Sequence, residues 1–219
     1  MIQKVNGILL FFEKSGSGRP LLLIHGNGED HEIFDRLVTE LEKTYTVYAI
    51  DSRGHGKSSD VEEFHYDDMV RDIVSLIEIE KLEKPILYGF SDGGIVGLLL
   101  ASNYPSLLSK LIISGANSHP TGLKIKWQLL FHFLFLKHKD SKIKLLLTEP
   151  NITREMLEKI EIPVLILAGQ HDMVKKSDTV FIAKHIRFGE LKIVANEDHS
   201  SYVVHSEKLY PLLEMFLES

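Results

Sequence analysis

The 219-residue chain has no cysteine. That excludes disulfides, thiolate metal sites and a cysteine nucleophile, and it fits a reducing compartment. It also has no surplus of positive charge. Lys and Arg number 25 against 31 Asp and Glu, for a net charge of −6, so no global basic field draws the protein to nucleic acid. Its most apolar run, Trp127 to Leu136, is ten residues long, where a helix needs about 20 to cross a bilayer. Stable membrane insertion is therefore not expected. The eleven histidines never fall at H-x-x-x-H spacing on a helix, so no catalytic metal is expected. Gly56-Lys57-Ser58 resembles the end of a phosphate-binding loop, but the glycine that such a loop needs five positions earlier is Asp51, which excludes nucleotide binding. Repeats and low-complexity linkers are absent. The opening residues, Met1 to Gly7, read as a strand entering a turn rather than as a leader. The expectation is a cytoplasmic protein of one domain, with room for a small insertion.

What is present is an alternation of short apolar runs and amphipathic segments. Asn6-Gly7 between Ile2–Val5 and Ile8–Phe12 signals a hairpin, since Asn-Gly suits a two-residue turn with positive φ. Ser15-Gly16-Ser17-Gly18 reads as a loop. Pro20–Ile24, Tyr45–Ile50, Pro85–Tyr88, Lys110–Ser114, Pro163–Ala168 and Leu191–Val194 read as strands. Helical spacing appears over 30–41, 67–79, 92–103, 179–185 and 206–217. This order predicts an α/β protein, a mostly parallel sheet covered on both faces. Residues 119–151 break the rhythm and predict a cap inserted into a core of residues 1–118 and 152–219. In the cap, Trp127, Leu130, Phe131 and Leu134 fall at i, i+3, i+4 and i+7. One face is expected to pack down while Phe133 and Leu136 line a pocket, so the candidate pocket residues are Trp127, Phe131 and Phe133. A roof over the site, a lid touching a membrane surface through the flanking lysines, and a dimer contact all remain open for this segment.

Gly89-Phe90-Ser91-Asp92-Gly93 carries the chemistry. It sits between a strand and a helix, the context in which a sharp turn thrusts a serine outward for a base to activate. Other strands end in chemically equipped loops: His25-Gly26-Asn27-Gly28, Gly169-Gln170-His171-Asp172, and Ala195 to Ser200 with Asp198 and His199. Working loops gather at the carboxyl ends of parallel strands. An oxyanion loop, a nucleophile, an acid and a base thus each follow a different strand, in the chain order Ser, Asp, His.

With those motifs, and with Asp51-Ser52-Arg53-Gly54-His55-Gly56-Lys57-Ser58, the sequence resembles the α/β-hydrolase family over nearly its whole length. The resemblance implies an eight-stranded sheet, a Ser91–His199–Asp172 triad, an oxyanion hole from the backbone N–H groups of Asn27 and Asp92, and no cofactor. The chain departs from the family mainly in its cap, which is short and rich in Phe and Lys. The expected activity is hydrolysis of an uncharged carboxylic ester with an apolar acyl or alcohol part. A C–C bond hydrolase, perhydrolase or lyase on the same scaffold is the alternative, and a non-enzymatic ligand receptor is another. The expected partner is a small molecule, and the expected state is a monomer or homodimer. His205 is the rival base, and Asp198 the rival acid. His25 reads as a structural residue beneath the oxyanion loop, and Arg53 as a tie between loops. Asp92 reads as a first-turn helix acid, or else as an exposed carboxylate that repels anions.

Overall fold

In the computed structural model, which describes residues 1–219, the apolar runs pair into one eight-stranded sheet. The strands are β1 (Ile2–Val5), β2 (Ile8–Gly16), β3 (Arg19–Ile24), β4 (Tyr45–Ile50), β5 (Ile86–Phe90), β6 (Lys110–Ser114), β7 (Val164–Gly169) and β8 (Gly189–Val194). Their spatial order is β1-β2-β4-β3-β5-β6-β7-β8. Only β2 runs against the rest, pairing antiparallel with β1 and β4. β5, β6 and β7 are buried along their whole length, as central parallel strands covered on both faces must be.

The helices are α1 (Asp35–Leu41), α2 (Tyr66–Ile79), α3 (Asp92–Asn103), α4 (Ile125–His138), α5 (Ser141–Thr148), α6 (Arg154–Glu158), α7 (Lys176–His185) and α8 (Tyr210–Glu218). Alternate residues of each strand face opposite sides. Leu22 and Ile24 of β3 join the apolar core under α2, α3, α6 and α7. Leu21 and Leu23 join the one under α1 and α8. α4 and α5 leave the chain after β6 and return before β7, and the exit and return meet where the Ile152 N–H donates to the Ser118 carbonyl at 2.9 Å. No helix is long and apolar enough to cross a membrane.

Of the boundaries that differ from the sequence expectations, three have a clear physical reason. The expected loop at Ser15-Gly16 is the end of β2, because Gly16 pairs with Thr46 of β4. A Cβ there would lie 2.3 Å from the Tyr45 carbonyl oxygen, so the pairing requires glycine. The helix expected from Asp30 begins as a 3₁₀ turn over His31–Phe34, with the Asp30 side chain accepting from the Glu32 N–H at 2.9 Å. The closing helix starts at Tyr210, not Ser206. Pro211 lacks an N–H and is tolerated only in a first turn, so it fixes the start.

Candidate functional site

The loops after β3, β5, β7 and β8 converge at one end of the sheet. Ser91 occupies the tight turn from β5 into α3 with φ 51° and ψ −112°, a conformation that costs about 1–3 kcal/mol for a residue with a Cβ. Close packing holds it there. A Cβ on Gly89 would lie 2.1 Å from the Gly93 carbonyl oxygen, and one on Gly93 would lie 2.1 Å from that of Ile24. Both elbow glycines therefore answer to backbone, which cannot yield.

Ser91 Oγ lies 3.1 Å from His199 Nε2, and His199 Nδ1 lies 2.7 Å from Asp172 Oδ1. Asp172 is buried. Its Oδ1 also accepts from the Val174 N–H at 2.9 Å, and its Oδ2 accepts from the Gly169 N–H at 3.3 Å. With the carboxylate fixed, the Nδ1 proton points at Asp172 and leaves Nε2 free to accept from serine. The rivals lie elsewhere. His205 pairs with Asp35 at 3.0 Å on the surface. Asp198 accepts from the Ser200 and Ser201 N–H groups, both at 2.9 Å, within its own loop.

The Asn27 and Asp92 backbone N–H groups donate to no acceptor in the protein, whereas their neighbours are occupied. The Gly26 N–H donates to Glu29 Oε2 at 3.0 Å, and the Gly28 N–H donates to His55 Nε2 at 3.1 Å. Two buried histidines brace this loop. His25 Nδ1 lies 2.7 Å from the Gly26 carbonyl, and the Ser52 N–H donates to Nε2 at 3.0 Å. His55 Nδ1 lies 2.8 Å from the Arg53 carbonyl. In each ring one nitrogen accepts, so the imidazole is neutral. Burial pushes the His25 pKa down to about 4 and lowers that of His55. Arg53 holds Asp72 through two contacts of 2.7 Å, tying its loop to α2.

Asp92 is buried, not exposed. Its carboxylate accepts from Asn27 Nδ2 and from the Tyr66 hydroxyl, both at 2.9 Å. Burial raises its pKa, against those two hydrogen bonds, which lower it. Asn27 Nδ2 also reaches the Lys142 carbonyl at 3.3 Å, so the loop after β3 touches α5.

Ser91 opens into a cavity of about 320 Å³. Trp127, Phe131 and Leu134 of α4, with Leu123, Ile143 and Leu146, line its cap side, and Phe90, Met173 and Glu29 lie among its core residues. Phe133, expected in the pocket, does not line it. It is 62% exposed on the far side of α4, with Leu136 at 69%. At about 100° per residue the two lie well away from Trp127 and Phe131, so the face expected to pack down is the one that lines the cavity. The half-buried Glu29 carboxyl, its pKa raised by burial, has no sequence signal of its own.

Gly115, after β6, also escaped the sequence reading. Its φ is +65°, and a Cβ there would lie 2.6 Å from His199 Cε1. Gly115→Ala is expected to displace the imidazole and lower kcat/KM about 10²-fold, the usual loss for a misplacement near 1 Å. An unchanged kcat/KM would show that the ring has slack.

One cluster has metal-ligand types. Asp30, His31 and Asp51 have ligand atoms within 4.8 Å of one another. Both Asp51 carboxylate oxygens are engaged, Oδ1 by the His31 N–H and ring Nδ1 and Oδ2 by the Lys57 N–H, so the cluster fastens loops.

Residues 19–137 match the family described as alpha/beta hydrolase fold. The serine hydrolase BPHL of Homo sapiens is 29% identical across 98% of this chain and 84% of its own. The AB hydrolase superfamily protein YisY of Bacillus subtilis is 27% identical across 97% and 96%. Among solved structures, the esterase EaEST from Exiguobacterium antarcticum has a TM-score of 0.87 at 24% identity, covering 100% of this chain and 98% of its own. It is alike in fold.

Proposed function

The chain is a hydrolase belonging to the alpha/beta hydrolase fold family, and from that premise we propose that it cleaves uncharged carboxylic esters with an apolar acyl or alcohol part through an acyl-enzyme on Ser91. One observation carries the reading: the Ser91 Oγ–His199 Nε2–Asp172 chain of 3.1 and 2.7 Å lies beside two unoccupied backbone donors. His199 takes the serine proton as Oγ attacks the carbonyl carbon. Asp172 stabilises the imidazolium that forms. The Asn27 and Asp92 N–H groups receive the negative charge on the carbonyl oxygen, where loss of one such donor costs about 2.7–4 kcal/mol, and the N-terminal end of α3 adds to their field. His199 then protonates the departing alcohol, and water repeats the attack on the acyl group.

The substrate class is supported by the apolar cap side of the cavity and by two carboxyl groups near Ser91. Glu29 lies on the cavity wall, and Asp92 lies behind the oxyanion loop. Both disfavour a substrate carboxylate. The test is intact mass after fluorophosphonate treatment, followed by a panel of esters of graded chain length. One adduct per chain is expected, with kcat/KM rising as the acyl or alcohol part grows more apolar. Folded protein that takes no adduct would overturn the activated serine. Small polar esters turned over equally well would overturn the substrate class. Cleavage of a β-diketone without ester turnover would move the assignment to C–C bond hydrolysis.

A further inference from the structure

α4 is apolar on two opposite faces, and the proposed reaction uses one. At about 100° per residue, Trp127, Phe131 and Leu134 share the side that lines the cavity. Ile125, Leu129, Phe133 and Leu136 share the other and are 70%, 67%, 62% and 69% exposed. A surface helix ordinarily turns polar residues outward. A contiguous stripe of four large apolar side chains left in water marks an interaction surface.

Charge decides what covers the stripe. Lys126 and Lys137, both exposed, lie along one edge of it, about 65° and about 85° from its centre by the same helical geometry. Lys139 is exposed at the end of α4, while Lys144 of α5 pairs with Glu63 at 3.9 Å. α4 contains neither Asp nor Glu. Residues 119–151 hold six lysines against Asp140 and Glu149, in a chain whose net charge is −6. A second copy fits poorly. A two-fold contact with antiparallel α4 helices sets the Lys124–Lys126 end of one against the Lys137–Lys139 end of the other, with no carboxylate on either helix between them. An anionic lipid surface fits both features. The apolar side chains enter the acyl boundary, and the lysine stems extend their ammonium groups to the headgroups.

We propose that the outer face of α4 docks on an anionic phospholipid surface, resting the roof of the cavity on the bilayer without spanning it. The proposal stands on the exposed stripe and its lysines, whatever bond Ser91 cleaves.

The test is co-sedimentation of the full chain with vesicles of phosphatidylcholine alone and of phosphatidylcholine mixed equally with phosphatidylglycerol. Binding is expected only to the mixed vesicles and is expected to weaken with salt. Leu129→Ser combined with Phe133→Ser is expected to lower partitioning at least about tenfold, and Lys126→Gln or Lys137→Gln about fivefold each. Thermal unfolding of the double variant and its labelling by fluorophosphonate are expected to match the parent, since both side chains face solvent. Absence of phosphatidylglycerol-dependent binding by the parent would overturn the proposal. So would equal binding by the double variant. A dimer in sedimentation equilibrium that the double variant converts to monomer would also overturn it, assigning the face to a second copy.

Discussion

Ser91→Ala is expected to abolish the fluorophosphonate adduct and to lower kcat on an apolar ester by about 10⁶-fold, the scale seen when a triad nucleophile is removed. The competing account makes Ser91 a cap for α3, and the geometry speaks against it. The Ser91 side chain makes no capping hydrogen bond to the first turn, and its Oγ is directed instead to His199 Nε2 at 3.1 Å. Loss of a cap would cost stability, about 0.5–2 kcal/mol, and spare whatever chemistry occurs. Loss of a nucleophile does the reverse. The two accounts therefore separate when kcat and urea unfolding are measured on the same variant. The backbone sharpens the contrast. At φ 51° any residue with a Cβ is strained, so Ser91→Ala keeps the strain and is expected to unfold at nearly the parent midpoint. Ser91→Gly relieves it and is expected to gain about 1 kcal/mol while being equally inactive. A stability gain on removing the side chain is what an elbow selected for reactivity predicts. A Ser91→Ala variant that still turned over ester within about tenfold of the parent would place the nucleophile elsewhere.

The strands and the site loops were readable because the two signals coincide. Fully apolar runs such as Leu21–Ile24 and Ile86–Tyr88 are buried on both faces, and each is followed within three residues by a glycine and a polar group. That pattern leaves little choice of structure, since a buried parallel strand must end where the backbone turns out to the crevice. What escaped the sequence depends on contacts between loops distant in the chain. Gly115 reads as an ordinary turn glycine until the His199 ring is found against it. The tautomers of His25 and His55 are set by the carbonyls of Gly26 and Arg53 and by the N–H groups of Ser52 and Gly28, and these come together only when the loops after β3 and β4 meet. Asp92 at a helix start is compatible with water or with burial, and the Tyr66 hydroxyl from α2 decides for burial.

The cap failed for a different reason. Periodicity selects a buried face only when one side of a helix is polar, and in α4 apolar residues occupy both sides. The sequence therefore offers two faces of equal merit, and Phe133 lies on the one turned away from the cavity. Tethers outside the apolar pattern decide the rotation. Gln128 Nε2 donates to the Leu123 carbonyl at 2.6 Å, and the Lys124 N–H donates to the Met173 carbonyl at 2.9 Å. These hold the start of α4 against the core with Trp127 inward.

Asp172→Asn is expected to lower kcat about 10⁴-fold with little change in KM. The substitution preserves shape and removes one acceptor. Asp172 receives three donors in the folded protein, from His199 Nδ1, Val174 and Gly169, and a carboxylate can satisfy all of them because both oxygens accept. An amide has one accepting oxygen and one donating nitrogen. If the oxygen takes the Oδ2 place and keeps the Gly169 N–H, the amide nitrogen faces the Val174 N–H and His199 together and forces Nδ1 to accept. The ring proton then moves to Nε2, opposite Ser91 Oγ, and the base can no longer take the serine proton. If the oxygen keeps His199, a buried N–H is left facing the amide nitrogen, at a cost of about 1–3 kcal/mol, and the imidazolium formed during attack still lacks its counter-charge. Either arrangement leaves the Asn27 and Asp92 donors and the cavity intact, which is why KM is expected to hold. Asp198→Asn supplies the comparison. Asp198 accepts from its own loop, and its pKa is lowered chiefly by the Ser200 and Ser201 N–H groups, so its loss is expected to change kcat by less than about tenfold. Steady-state kinetics of the two variants on one ester decides the matter. A larger loss from Asp198→Asn than from Asp172→Asn would reverse the assignment of the acid.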